Sequence, residues 1–153
     1  MSVGKRTFLN RNCYFFSKEL LAYNEAQEYC KLHAFPGTEG RLYEPRHVDK
    51  TFNIIQEGSL DLVSRTGNWL VGVEREDDVF VYNSDGKELS FDQWGENQPM
   101  NTGDCVTLQD HTLFSLSCAT KSFFICEIPP TLEGELTYAI QVHTGMLLLG
   151  NLK

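Results

Sequence analysis

The sequence predicts an α+β domain, and three observations point to it. Two amphipathic segments with helix-start signals come first, apolar strand-like runs follow from residue 69, and a polar stretch without periodicity, residues 91–104, interrupts those runs. The architecture expected is two helices packed on small antiparallel sheets, with a long ordered loop region. A chain of 153 residues has room for one domain with a real core. We place that domain at 12–128, between an N-terminal segment, 1–11, and a C-terminal extension, 129–153.

Asn12-Cys13-Tyr14-Phe15-Phe16-Ser17 is aromatic and ends in a polar residue, which suits an opening strand. Asn24 stands three residues before Gln27, a helix start of capping-box type in which each side chain satisfies an orphan backbone N–H. Ala26, Tyr29, Cys30 and His33 follow at helical spacing, so Cys30 is expected to point inward; Phe35-Pro36-Gly37 ends that helix. A second helix is expected after Pro45, with Val48, Phe52 and Ile55 on one stripe and Gly58 as its stop. Trp69-Leu70-Val71-Gly72-Val73 and 79–82 read as strands, and Ser84-Asp85-Gly86 turns the chain back. After the loop at 91–104, the stretches 105–108, 112–116 and 123–128 read as closing strands.

The net charge of −8 argues against nucleic acid or anionic lipid as the main partner, since both would repel such a surface. From residue 74 to residue 110 there are ten acidic side chains against only Arg75 and Lys87, a surplus equal to the whole net charge. That stretch is either a solvated acidic face or the remnant of a cation site. No run approaches the ~20 apolar residues that span a bilayer, so no membrane insertion is expected. The start lacks the apolar core of a signal peptide, and Met1 reads as the beginning of a mature fragment. No Asn-x-Ser/Thr acceptor is present, so N-glycosylation is not expected.

The five cysteines, Cys13, Cys30, Cys105, Cys118 and Cys126, include no CxxC pair and have no histidine at zinc-ligand spacing nearby. Scattered in a loop-rich domain they read as disulfides, which implies an oxidising, extracellular compartment, and the odd count leaves one thiol over. Enzyme motifs are missing: His33, His47, His111 and His143 lie in no G-x-S-x-G, H-E-x-x-H or P-loop context. Asp110-His111 beside Thr112 is the nearest approach to a catalytic cluster, and a turn between two strands explains it better.

Several short motifs occur in a fixed order. Glu25-Ala26-Gln27-Glu28-Tyr29-Cys30 closes a helix on a cysteine, and Arg41-Leu42-Tyr43-Glu44-Pro45 precedes the second helix. Trp69 to Val73 has the form of a W-I-G-L strand with one residue inserted. Val81-Tyr82-Asn83-Ser84-Asp85-Gly86 leads to Trp94, Asp104-Cys105-Val106 to Cys118, and Ile125-Cys126-Glu127 ends the series. In this order they resemble the C-type-lectin-like domain from about Cys13 to Ile128. The resemblance implies that fold and two disulfides, Cys30–Cys126 and Cys105–Cys118. Cys13 sits where longer family members place the second cysteine of an extra pair, whose partner would fall near Ser2. It is either a buried thiol or the site of an interchain disulfide.

In sugar-binding members of the family, a calcium ion is held by a Glu-Pro-Asn or Gln-Pro-Asp tripeptide, a Glu just before the D-C-V strand and an Asn-Asp pair before the third cysteine. Calcium takes roughly six to eight oxygens, some of them from the sugar. Here the tripeptide reads Gln98-Pro99-Met100, the Glu falls on Gly103 and the pair on Phe114-Ser115. A thioether is a poor partner for a hard cation, so no metal is expected at the sugar site. Asp77, Asp78, Asn101 and Asp104 are a weaker candidate set for a structural Ca²⁺, and no other cofactor is expected.

The resemblance therefore implies an extracellular recognition or adhesion module, secreted or part of an ectodomain, that binds a protein or glycoprotein ligand without calcium. Its expected contact face is Trp94, Glu96, Asn97, Gln98, Met100, Asn101 and Phe114 on the long loop. Met100, Leu113 and Phe114 either fill the vacated space as core or form an apolar patch. One alternative is a lectin with a degenerate or calcium-free sugar site. The other is a structural or matrix unit that oligomerises, with a homodimer formed through Cys13 or the extension. In that extension Leu136, Tyr138, Ile140 and Val142 alternate with polar residues like a hairpin with one oily face.

Overall fold

The computed structural model describes residues 4–9, 12–33, 39–59 and 68–128. Its elements are β1 (Gly4–Leu9), β2 (Asn12–Ser17), α1 (Tyr23–Leu32), β3 (Arg41–Leu42), α2 (Val48–Ser59), β4 (Trp69–Glu76), β5 (Val79–Tyr82), β6 (Cys105–Gln109), β7 (Thr112–Leu116) and β8 (Phe123–Ile128). The strands run in the order β1-β2-β8-β4-β6-β7, with β3 added to β8 and β5 to β4.

Alternation along the central strands divides the core. Tyr14 and Phe16 of β2 and Ile125 of β8 pack with Ile54 and Ile55 of α2, together with Trp69, Val71 and Val106. The intervening Phe15, Phe124 and Cys126 pack with Tyr23, Ala26 and Cys30 of α1. Successive strand side chains point to opposite faces, so β2 is buried on both sides because a helix covers each. The Cys30–Cys126 disulfide fastens α1 to β8, and Cys105–Cys118 ties the start of β6 to the chain beyond β7. With sequence separations of 96 and 13 residues, the chain-entropy model gives them about 4.7 and about 3 kcal/mol.

Strand β1, in the segment 1–11 for which no element was named from the sequence, pairs antiparallel with β2 from Gly4↔Ser17 to Leu9↔Asn12. Three expectations are corrected. The sheet is mixed and not purely antiparallel: β4 runs parallel to β8 at Trp69↔Phe123 and Leu70↔Phe124. Helix α1 starts at Tyr23, with Ala22 as N-cap, so Asn24 lies inside its first turn. Leu21 is bridged to Ser122 and the Tyr23 N–H donates to Cys118 O, which fixes the chain direction before Asn24 is reached. Glu25 then accepts from the Ala22 N–H at 3.1 Å, the role expected of Gln27. Gly58 falls within α2 and not after it. The hairpin expected in 129–153 lies outside the described residues.

Glu127 is a carboxylate buried on β8. Its Oε1 accepts from Arg41 Nε and from the Glu44 N–H, both at 3.2 Å. Burial, the largest cause, pushes its pKa above the ordinary 4.5 against the pull of Arg41. The folded state thus holds this proton to higher pH than the unfolded chain does. Glu127's contribution is complete below 4.5 and is lost as pH rises through the folded value. Urea unfolding at pH 4.5 and at neutral pH should show a larger stability loss on that rise for the native chain than for Glu127→Gln, and equal losses would refute the assignment.

Candidate functional site

The long loop stands on a platform made by β4, β6 and β7, with β5 alongside β4. Its first part is docked by backbone bonds: Leu113 N–H donates to Gln93 O at 2.7 Å and Gly95 N–H to Leu113 O at 2.9 Å. Trp94 is thereby bridged to Leu113, and its half-buried ring packs 5.1 Å from that of Phe80. Phe114 lies over Gly95, where a Cβ would overlap its ring. The close approach explains why that position has no side chain.

Beyond Trp94 the tethers are polar. Gln98 Oε1 accepts from both the N–H and the hydroxyl of Ser115, at 2.8 and 2.9 Å. The Ser115 Oγ in turn accepts from the Met100 N–H at 2.9 Å. Gln98 and Ser115, which the resemblance sets at cation-ligand positions, are therefore bonded to each other. At Gly103 a Cβ would come 2.6 Å from Leu116 N and 2.9 Å from its Cα and carbonyl carbon. Strand β7 occupies the space that a glutamate there would need.

Arg75, at the end of β4, closes the loop from the other side. Its Nε donates to Asp104 Oδ1 at 3.1 Å, and its Nη2 donates to Met100 O at 2.6 Å and Gly103 O at 2.9 Å. The guanidinium also lies 4.5 Å over the Phe80 ring. Sequence reasoning missed this residue. The signal was its position as one of two cations within an acidic stretch, which marks a side chain with partners to find.

Of the expected contact face, Glu96, Asn97, Met100 and Asn101 are exposed, whereas Trp94, Gln98 and Phe114 are half-buried. The apolar replacements separate: Leu113 is fully buried core, and Met100 is 54% exposed. Three residues of the weaker cation set have structural roles. Asp77 and Asp78, both at positive φ (51° and 67°), form the two-residue turn between β4 and β5, and Asp104 is paired with Arg75. Among the described residues, no group of three or more His, Cys, Asp or Glu is arranged to hold a metal. Asp110-His111 is the turn between β6 and β7.

No family model matches the chain. A curated relative, the alpha-N-acetylgalactosamine-specific lectin of Patiria pectinifera, is 23% identical over 134 residues, covering 82% of this chain and 79% of the relative. The solved C-type lectin CEL-I from Cucumaria echinata superposes with a TM-score of 0.71 at 15% identity, covering 83% of this chain and 96% of that one. The carbohydrate-recognition domain of the mouse scavenger receptor C-type lectin gives 0.68 at 18% identity, with coverage of 83% and 95%. This is the C-type lectin-like fold.

Both disulfides implied by the resemblance are present in this fold. Cys13 takes part in neither disulfide and is buried, 3% exposed, on a strand flanked by β1 and β8. No described helix is long and apolar enough to cross a membrane.

Two sets of substitutions test this geometry. Gly103→Ala should lower stability by roughly 1–3 kcal/mol, because the added carbon meets backbone and not a yielding side chain; an unchanged urea midpoint would contradict the packing. Replacing both aspartates of the β4–β5 turn, Asp77→Asn together with Asp78→Gly, should raise stability by up to about 1 kcal/mol by relieving positive φ at both positions, read as an increase in thermal midpoint.

Proposed function

We propose that this domain is an extracellular recognition module, not an enzyme, that binds a protein ligand through its long-loop face without calcium. The observation that carries the reading is the pairing of Gln98 with Ser115, which uses the amide oxygen on two internal donors. A cation at that place would have to break both bonds and would gain few hard oxygens, since Met100 supplies a thioether and Gly103 no side chain. The residues present fit a calcium ion poorly. What remains is a rigidly based loop that exposes Met100, with Trp94 on the same loop and Phe114 on β7 half-buried. Exposed Asp92, Glu96 and Asp110 lie along the same stretch of chain. An apolar centre with a charged surround is the usual composition of a protein contact surface. The two disulfides support an oxidising, extracellular setting.

A calcium-free glycan site is the second reading, favoured by the relative named as an alpha-N-acetylgalactosamine-specific lectin and by the partly exposed Trp94 and Phe114 rings, on which a sugar face can stack. A glycan array probed with and without chelator separates these readings. We expect no chelator-sensitive signal. Sugar binding lost on chelation would overturn the proposal, and binding indifferent to chelator would select the second reading.

A further inference from the structure

Between Trp94 and Cys105 the loop has no side chain in the core. Pro99, Met100, Asn101 and Thr102 are all exposed, and Gly103, the buried residue of this stretch, has no side chain. Its shape therefore depends on polar tethers, which fall on two sides. Ser115 of β7 holds Gln98 and the Met100 N–H. Opposite it, a single guanidinium takes the Met100 and Gly103 carbonyls and the Asp104 carboxylate.

Resting on the reading of this face as the binding surface, we propose that Arg75 is its positioning residue, an internal cation that wraps residues 100–104 around itself and fixes where Gln98, Met100 and Asn101 stand. Three features suit it to this role. Its side chain is only 16% exposed, so its charge is partly shielded from water. The ring of Phe80 beneath the guanidinium restrains its plane. The backbone at Arg75 is itself bound to the loop, because its N–H donates to Asp104 O at 2.7 Å. A planar fork with fixed donor directions meets acceptors on three residues together, which a lysine ammonium cannot reproduce from one stem. The carbonyls of Met100 and Gly103 and the carboxylate of Asp104 are thus gathered by a charge that belongs to the chain and cannot leave.

Amide hydrogen exchange on the whole chain tests this without any ligand. In Arg75→Gln the Met100 amide, which is bonded to Ser115 Oγ, should exchange about tenfold faster, a change on the order of one lost charge-assisted hydrogen bond. Amides of β6 and β8 should keep native rates. Arg75→Lys should resemble Arg75→Gln more than the native chain, because charge without the fork does not restore the geometry. Native protection of Met100 in Arg75→Gln would overturn the proposal, as would a uniform loss across β4, β6 and β8, which would make Arg75 a general strut. If Arg75→Gln does not fold, Asp104→Asn decides. It leaves the guanidinium on Phe80 and should loosen Met100 by a smaller factor, and no change at Met100 would sink the idea. These rates are independent of what the face binds, so a failure here is separable from a failure on the glycan array.

Discussion

The last described strand, β8, is the constraint on which the domain depends. It pairs antiparallel with β2 along 125–128 and with β3 at Cys126 and Glu127, and it runs parallel to β4 at Phe123 and Phe124. In the strand order the amino-terminal strands and the loop-bearing platform are thus joined through β8, a segment that the chain supplies at the end of that order. Such long-range pairing costs loop-closure entropy before it returns any contact. The Cys30–Cys126 bond offsets part of that cost at the same strand. Glu127 is tolerable at this junction because its oxygen receives a guanidinium N–H and a backbone N–H, satisfying a group that would otherwise be costly to bury.

A firm base lets the loop above be shaped by few interactions. Trp94 and Phe114 cover the edge of the core, while the residues beyond them are held by Ser115 and Arg75. Each of these contacts is modest, and together they satisfy the polar atoms they involve. Any ligand that binds here without remodelling the loop meets the groups still facing solvent, among them the Met100 thioether, the half-buried Trp94 and Phe114 rings, and the side chains of Glu96, Asn97 and Asn101.

Elements whose signal is local were legible in the sequence. Strands β4 to β8 follow from apolar runs and turn residues, and the inward aim of Cys30 follows from helical spacing, as its 2% exposure bears out. What was illegible depended on partners far away in sequence. Strand β1 exists because β2 offers it an edge; the start of α1 is set by Ser122 and Cys118, about a hundred residues distant. The parallel pairing of β4 with β8 leaves no mark in either strand's pattern, because both are buried on two faces and read as continuous apolar runs. In the site, the residue types at 98–100, 103 and 114–115 could be read position by position. Arg75 carried only the hint of a cation in an acidic stretch, since its partners lie 25 to 29 positions away and are met only in the fold.

The same distinction explains how the apolar residues Met100, Leu113 and Phe114 come to differ in consequence. Leu113 and Phe114 are adjacent on β7, so their side chains must point to opposite faces; one enters the core and the other covers Gly95 from outside. Met100 has no strand to direct it and sits on a loop whose backbone is held at the preceding and following polar contacts, which leaves its side chain in water. Burying such a side chain on a partner gains apolar area at the cost of a few rotatable bonds. The proposed protein contact would draw on this one adaptable side chain above a tethered backbone, while Gln98 and Ser115 already engage each other.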